Sequence, residues 1–408
     1  MIKRTSETVI SPIKIMSKDE IAGLHAYMQQ VVDYRKSGLS LNHIIGCPLD
    51  CLYCVRHFWD NFEMKSPHML TTDEDAVHLL TEHQYFTPHK TPIQIFNRAT
   101  DPFLKSVKPH THKVLQLLDT QGLTNPVLVI TRYTVTDEDM RMMESLQNVR
   151  VTLLFTYSGL NDKRIEPLPS HITLESIETA QRHKKKTGTA LYWRPIVPGW
   201  NDDEETILHV LDVARKTDAI AYTGLFYRPQ QQEHFSEKRI AVPYDETHRR
   251  KILPADLEAK ILRLYMESGI KTPIFRKTSC AVMYTHELPD YNGHFGIQGI
   301  CDICPAEQVK RCAKAYAQPT QTEFARLLEL YEYETEFCIE SGHVWTSGLS
   351  VEQRYHLQHT LGFQVWDRNL RWSRFDGHLC GLENKRHDHE KKIIQSIEPA
   401  SQNGSAQI

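Results

Sequence analysis

The chain has 408 residues, of which 40% are hydrophobic and 24% charged, with a net charge of −3 at neutral pH. That length exceeds one small core and implies two or three domains of an ordinary globular protein. No run approaches the roughly 18 apolar residues of a membrane span, and the slight acidic excess excludes a global basic field that would recruit nucleic acid.

In chain order, MIKRTSETVISPIKIMSKDE (1–20) lacks the apolar core of a signal peptide, so an N-terminal extension (1–39) on a cytoplasmic protein without a membrane partner is expected. Between about 40 and 250, apolar runs alternate with amphipathic stretches. The predicted strands are 41–46, 93–97, 127–131, 151–157, 190–196 and 219–226, several nearly continuous in apolar residues, as strands covered on both faces are. The predicted helices between them are 73–83, 111–122, 137–147, 174–188 and 202–216. Six strand–helix units in series imply an α/β fold, a parallel sheet curled into a partial (β/α)6 TIM-like barrel, with chemistry at the C-terminal strand ends. The HKKK run at 183–186 reads as a solvated helix end.

Beyond about 250 the pattern changes. A helix over 253–269 opens a loop-rich, cysteine-containing extension (251–319). A helical C-terminal region (320–382) follows, with one long helix over 320–342 and a helix–turn element over 348–367. The last stretch, 383–408, is polar and is expected to be a disordered tail.

Nine cysteines in a cytoplasmic chain suggest metal ligands or redox groups rather than disulfides. Cys338 and Cys380 are isolated and read as buried or incidental thiols. In GCPLDCLYCVR, directly after a predicted strand, Cys47, Cys51 and Cys54 form a C-x3-C-x2-C loop. Three thiolates there can each hold one iron of a [4Fe–4S] cube, and the missing fourth cysteine leaves one iron open. The alternative is structural zinc, with His43 or His57 as the fourth ligand.

This cysteine loop resembles the signature of the radical S-adenosylmethionine (radical SAM) superfamily. IFNRATDPF (95–103), VLVITRYTVTDED (127–139), RIEPLP (164–169) and RPIVPGWND (194–202) are similar to its spore photoproduct lyase and DNA-repair-photolyase-like branch. The resemblance implies an enzyme that reductively cleaves S-adenosylmethionine at the cluster to a 5′-deoxyadenosyl radical, which abstracts hydrogen from an organic substrate. It also implies an electron donor such as flavodoxin or ferredoxin. Asn97, Thr100, Asp101, Thr156, Ser158, Glu166 and Arg194, at strand ends or in the loops after them, are the candidate cofactor contacts. Arg194 is a candidate bidentate partner for the cofactor carboxylate. Trp200 either stacks on the adenine or simply packs.

Cys280, Cys301, Cys304 and Cys312 form a second candidate metal site, for another Fe–S cluster or for zinc. The photoproduct lyases carry no such set, so the substrate stays open among a nucleic-acid base, a peptide and a small metabolite. Cys280 and Tyr291 are alternatively candidate hydrogen-atom donors in catalysis, near Arg276, Lys277, His286 and His294. The competing readings are a nucleic-acid lesion lyase, a peptide-modifying enzyme and, from another class, a non-catalytic metal-binding regulatory protein.

Overall fold

The structure, a computed structural model, describes residues 13–369 except 60, 97, 246–250 and 298. Asn97, Cys380 and the expected tail therefore lie outside the described residues.

Six parallel strands stand side by side in sequence order. They are β1 (Gly38–Leu41), β2 (Ile93–Ile95), β3 (Pro126–Thr131), β4 (Arg150–Tyr157), β5 (Gly188–Ile196) and β6 (Ala219–Phe226). The crossover helices are α1 (Asp73–Thr81), α2 (Lys108–Thr120), α3 (Asp137–Ser145), α4 (Ser170–His183) and α5 (Glu204–Ala214). A further helix, α6 (Ala255–Glu267), leads to a short strand β7 (Ile274–Phe275), parallel to β6. Val32–Arg35 caps the β1 edge and Lys251–Ile252 the end of β6, both antiparallel.

Strand periodicity decides which side the helices take. Val127, Val129, Leu153, Phe155, Leu191, Trp193 and Ile220 share one core with the apolar stripes of α1–α6, for example Val77, Val114, Met140, Ile177, Val210 and Ile261. The intervening residues Leu128, Leu154, Ala190, Tyr192 and Ala221 face the other way, into a second core. All crossovers thus lie on one face, and the sheet curls around the other as the partial barrel the pattern implied. The inner face is filled by one helix, α7 (Thr278–Thr285), which contributes Cys280, Ala281, Val282 and Met283.

Helix α7 runs against the strands. Its last residue, Thr285, abuts Gly188 at the start of β5, where any Cβ would collide with the threonine side chain. His286 Nε2 meets Thr152 Oγ1, near the start of β4, at 2.7 Å. The N-terminus of α7 therefore points toward the C-terminal strand ends.

Several sequence expectations need correction. The first strand ends at Leu41, not at residue 46. Asn42 leaves the ladder, its side-chain amide bonding Ser40 O at 3.0 Å and Asp33 Oδ1 at 2.8 Å, and Ile44–Ile45 pairs instead with His68–Met69. The long helix over 320–342 is a helix, α9 (Gln321–Leu330), followed by a strand, β8 (Glu336–Glu340), because Glu332 takes a left-handed φ of 55° and stops the helix. The alternation in EFCIE, half-buried at Phe337 and Ile339 and exposed at Cys338, is a strand period that the helix reading overlooked. It also makes Cys338 exposed rather than buried. The 348–367 segment is α10 (Val351–Leu361) followed by β10 (Gln364–Asp367), which pairs with β9 (His343–Ser347); it is no helix–turn–helix. The 277–316 stretch holds α7 and α8 (Ala306–Ala315). Of the HKKK run, Lys184 is not solvated but bonds Asp218 and Thr189. No helix among the described residues is long and apolar enough to cross a membrane.

The start of α1 ties the cysteine loop to the helical layer. Asp73 accepts from His43 Nε2 at 2.7 Å and from His110 Nδ1 at 2.8 Å. Burial alone would raise the pKa of this carboxyl, but the hydrogen bonds from His110 and His43 hold it near about 2. A depressed folded pKa stabilises the protein above the unfolded value, and that stability is lost as pH falls toward the folded value. Asp73→Ala should lower the unfolding free energy by about 1–3 kcal/mol at neutral pH. The deficit should shrink between the usual 3.8 and about 2. Denaturant melts at several pH values check this; a deficit independent of pH would refute the charge argument.

Candidate active site

The strand ends enclose a cavity of about 240 Å³. Cys47, Cys51 and Cys54 line it together with Gln94, Thr100, Asp101, Thr156, Tyr192 and Arg194.

The cysteine loop starts at Gly46, which has φ of 94° and whose missing Cβ would collide with Ser66 O. Only glycine fits there. Cys47 N bonds Met64 O at 2.9 Å, and Cys54 N bonds Cys51 O at 3.0 Å, so the loop folds back on itself. Arg56, 2% exposed, pins it from inside by donating to Leu49 O at 2.9 Å and Met64 O at 3.1 Å. Burial pushes the Cys47 thiol up to about 11, against the pull of the Arg56 charge, and pushes the Cys51 thiol well above its ordinary value. Neither histidine considered as a fourth ligand lines the cavity. His43 is held by Asp73, and His57 stacks on Phe62 with ring centroids 3.6 Å apart. Among the described residues, Cys280, Asp290 and His294 gather three ligand atoms within 4.8 Å of one another; the Cys47, Cys51 and Cys54 sulfurs are not so tightly drawn together.

The expected cofactor contacts divide into two groups. Thr100, Asp101, Thr156 and Arg194 line the cavity. Asp101 is fixed by Thr131 Oγ1 at 2.7 Å, Phe103 N at 2.9 Å and Arg132 N at 3.0 Å, while burial raises its pKa. Glu166 and Ser158 stand one layer behind. Glu166 accepts from the Tyr53 hydroxyl, from Arg132 Nη1 at 2.6 Å and from Ser158 Oγ at 3.3 Å; Cys51 Sγ lies 3.9 Å from it. Arg132 also reaches the Tyr53 hydroxyl at 2.5 Å. Trp200 packs against Phe235 and donates to Ala241 O at 2.9 Å, outside the cavity lining.

Cys280 and Tyr291 do not line the cavity. Both are buried, Tyr291 with its ring against His359 and its hydroxyl 3.4 Å from Ser37 O. Cys280 belongs to a second cluster beneath the first turn of α7. Cys301 Sγ donates to His294 O at 3.5 Å and Cys304 Sγ to Ile300 O at 3.6 Å, and the four thiols of Cys280, Cys301, Cys304 and Cys312 are close enough to perturb one another. The proximity of the two thiols lowers Cys301 to about 7 and drives Cys304 far upward. Asp290 joins this cluster. It bonds His294 Nδ1 at 2.8 Å, and its backbone N–H points at Cys312 Sγ at 3.5 Å. Burial opposes ionisation of Asp290, but His294 holds its pKa near about 2. His294 Nε2 is buried without a hydrogen-bond partner among the described residues. Of the charged groups expected near this region, Arg276 is paired with Glu258 at 2.8 Å and with Asp302, and His286 meets Thr152.

Sequence reasoning missed Asp290, Arg132, Gln94, Tyr192 and Lys251. Arg132 directly follows the third predicted strand, a position where cavity residues are expected. Asp290 carries no such signal, because only the fold brings it to the cysteines.

No protein-family model and no curated protein matches the sequence. Among solved structures, a spore photoproduct lyase complexed with dinucleoside spore photoproduct is 13% identical, covering 60% of this chain and 78% of its own, with a TM-score of 0.46. SuiB of Streptococcus suis bound to S-adenosylmethionine is 10% identical, covering 63% of this chain and 54% of its own, with a TM-score of 0.41. Identities this low leave residue roles to the geometry of this chain.

Glu166 neutralises a buried arginine directly behind Cys51. Glu166→Ala should destabilise the fold by about 3 kcal/mol, because it strands the Arg132 charge. Chemical denaturation checks this, and a loss below about 0.5 kcal/mol would mean that water or a neighbour replaces the carboxylate.

Proposed function

We propose that this chain is a radical SAM enzyme, with a [4Fe–4S] cluster on Cys47, Cys51 and Cys54. The observation that carries this reading is the placement of three thiols, with no fourth cysteine and no histidine among the described residues of the lining, in one cavity with the polar strand ends of a partial barrel. Donor chemistry fits: thiolates are the ligands such clusters take. When bound, the cluster and S-adenosylmethionine supply a 5′-deoxyadenosyl radical that abstracts hydrogen from an organic substrate.

The protein's part is positioning and electrostatics. Thr156 and Thr100 offer buried hydroxyls without partners among the described residues, suited to the cofactor's ribose and amino groups. Arg194 suits its carboxylate. Asp101 is held rigidly enough to orient a donor on the cofactor. Glu166 and Ser158 act through others, fixing Tyr53 and Arg132 behind Cys51. Asn97 lies outside the described residues.

Cys280, Cys301, Cys304 and Cys312 are proposed to hold a second [4Fe–4S] cluster or a zinc ion, with Asp290 orienting His294 beside it as carboxylates orient histidines at metal sites. This assigns Cys280 to a metal rather than to hydrogen-atom transfer. An electron donor such as flavodoxin or ferredoxin would reduce the catalytic cluster.

Anaerobic reconstitution should give about eight irons per chain with two cubes, or about four irons and one zinc. The Cys47→Ala, Cys51→Ala, Cys54→Ala triple variant should lose about four irons and all 5′-deoxyadenosine release under reduction. Unchanged release would end the radical SAM reading. A wild type that binds metal but never cleaves S-adenosylmethionine would leave a non-catalytic metal-binding protein.

A further inference from the structure

The cavity carries more positive charge than a cluster loop requires. Arg35, Arg56, Arg98, Arg132, Arg194 and Lys251 all line it, against a single carboxylate, Asp101. Four of these cations are accounted for. Arg35 and Arg98 share Asp33 at 3.1 and 3.2 Å, Arg132 pairs with Glu166, and Arg56 is consumed by loop carbonyls. Arg194 and Lys251 have no carboxylate partner among the described residues.

These two converge on Tyr192. Lys251 Nζ lies 3.0 Å from the Tyr192 hydroxyl, and the Arg194 guanidinium sits 4.2 Å above its ring. Burial would raise the Tyr192 pKa, but Lys251 and Arg194, helped by a hydrogen bond from Thr278, bring it down to about 7. The site favours negative charge strongly enough to act on a phenol.

Thr278 is the first residue of α7 and also lines the cavity. The preceding Lys277 makes no side-chain cap, and the first N–H groups of any helix have no intrahelical partner. A separate observation marks the same space as built for a polar ligand. Gln94 is 1% exposed and lines the cavity, yet its Nε2 has no hydrogen-bond partner among the described residues. Buried polar atoms rarely stay unpaired, so a bound molecule is their natural partner.

We propose that Lys251, Thr278 and the N-terminus of α7, beside Tyr192, form a subsite for an oxyanion on the organic substrate, a phosphate or a carboxylate. The subsite lies on the barrel's inner floor, while the cofactor's own carboxylate is assigned to the cysteine side through Arg194. The substrate part of this assignment rests on the radical SAM reading; the anion site does not. Arg194 stands between the two and contributes charge to both.

The test uses the full chain, anaerobically reconstituted and saturated with S-adenosylmethionine so that the cofactor's carboxylate site is filled. Calorimetric titration with inorganic phosphate and, separately, with acetate should show one saturable site, and the tighter anion names the substrate group. Lys251→Ala should weaken that binding about tenfold or more, as loss of a charged hydrogen bond does, and Lys251→Arg should restore most of it. Thr278→Val, which removes no cation, should weaken it by a smaller factor. Absence of saturable binding in the wild type, or equal binding in Lys251→Ala, overturns the subsite. Displacement of S-adenosylmethionine by phosphate, or a matching loss of S-adenosylmethionine affinity in Lys251→Ala, assigns the cations to the cofactor and overturns the substrate role. A chain that binds phosphate through Lys251 but never binds S-adenosylmethionine supports the anion site and overturns only the cofactor reading.

Discussion

The inner face of an open six-stranded parallel sheet has to be covered, and in this protein a single eight-residue helix covers it. Everything functional in the molecule is arranged around that helix. Because all crossover helices are committed to the outer face, nothing from the barrel repeat itself can fill the inside. Helix α7 enters from beyond the repeat and stops at Gly188, where the absence of a side chain lets Thr285 reach the strand. Its direction then sets the polarity of the site. The C-terminal end is absorbed at the bottom of the barrel, and the N-terminal end, with Thr278, is delivered to the cavity.

The same helix joins the two cysteine clusters. Thr278 faces the cavity and Cys280, two residues on, faces the second cluster. The C-terminal sheet buttresses the region from behind. Gln358 Nε2 donates to Asn292 Oδ1 at 2.9 Å and Gln364 Nε2 to Asn292 O at 2.6 Å, fixing the segment between Asp290 and His294. Gly293 lets Gly362 approach so closely that a Cβ would not fit. The three-stranded sheet is thus a brace for the second cysteine site, which explains why it follows that site in the chain.

The repeat was legible in the sequence because each barrel strand is short, apolar and flanked by polar helix starts. VLVIT, VTLLFTY and AIAYTGLF fall on or within one residue of the observed strands. The cysteine loop was legible because its three cysteines are neighbours in the chain. What failed shares one cause: the deciding contact is distant in sequence. EFCIE reads as helix until β9 gives it a partner, and LNHIIG reads as one strand until Asp73 and Asp33 pull His43 and Asn42 out of line. Asp290 and Lys251 have no local signature. Asp290 sits in a loop that only the brace positions, and Lys251 lies on a two-residue strand that exists only because β6 extends to meet it.

The electrostatics of the cavity follow from how each cation is retained. Arg98 and Arg56 are essentially buried, and a buried guanidinium is tolerable only when its donors are satisfied. Asp33 and the loop carbonyls take most of those donors, Arg56 Nε alone of the Arg56 nitrogens having no partner among the described residues, so these arginines shape the cavity without adding much free charge to it. Arg194 and Lys251 are only half-buried, and neither has a carboxylate partner among the described residues. That difference makes them suitable for ligands: their charge is available because the fold has not spent it on an internal partner. A carboxylate placed beside Lys251 by evolution would have rigidified the site and neutralised it. Tyr192 instead gives the ammonium an acceptor that holds it in position beside the cavity.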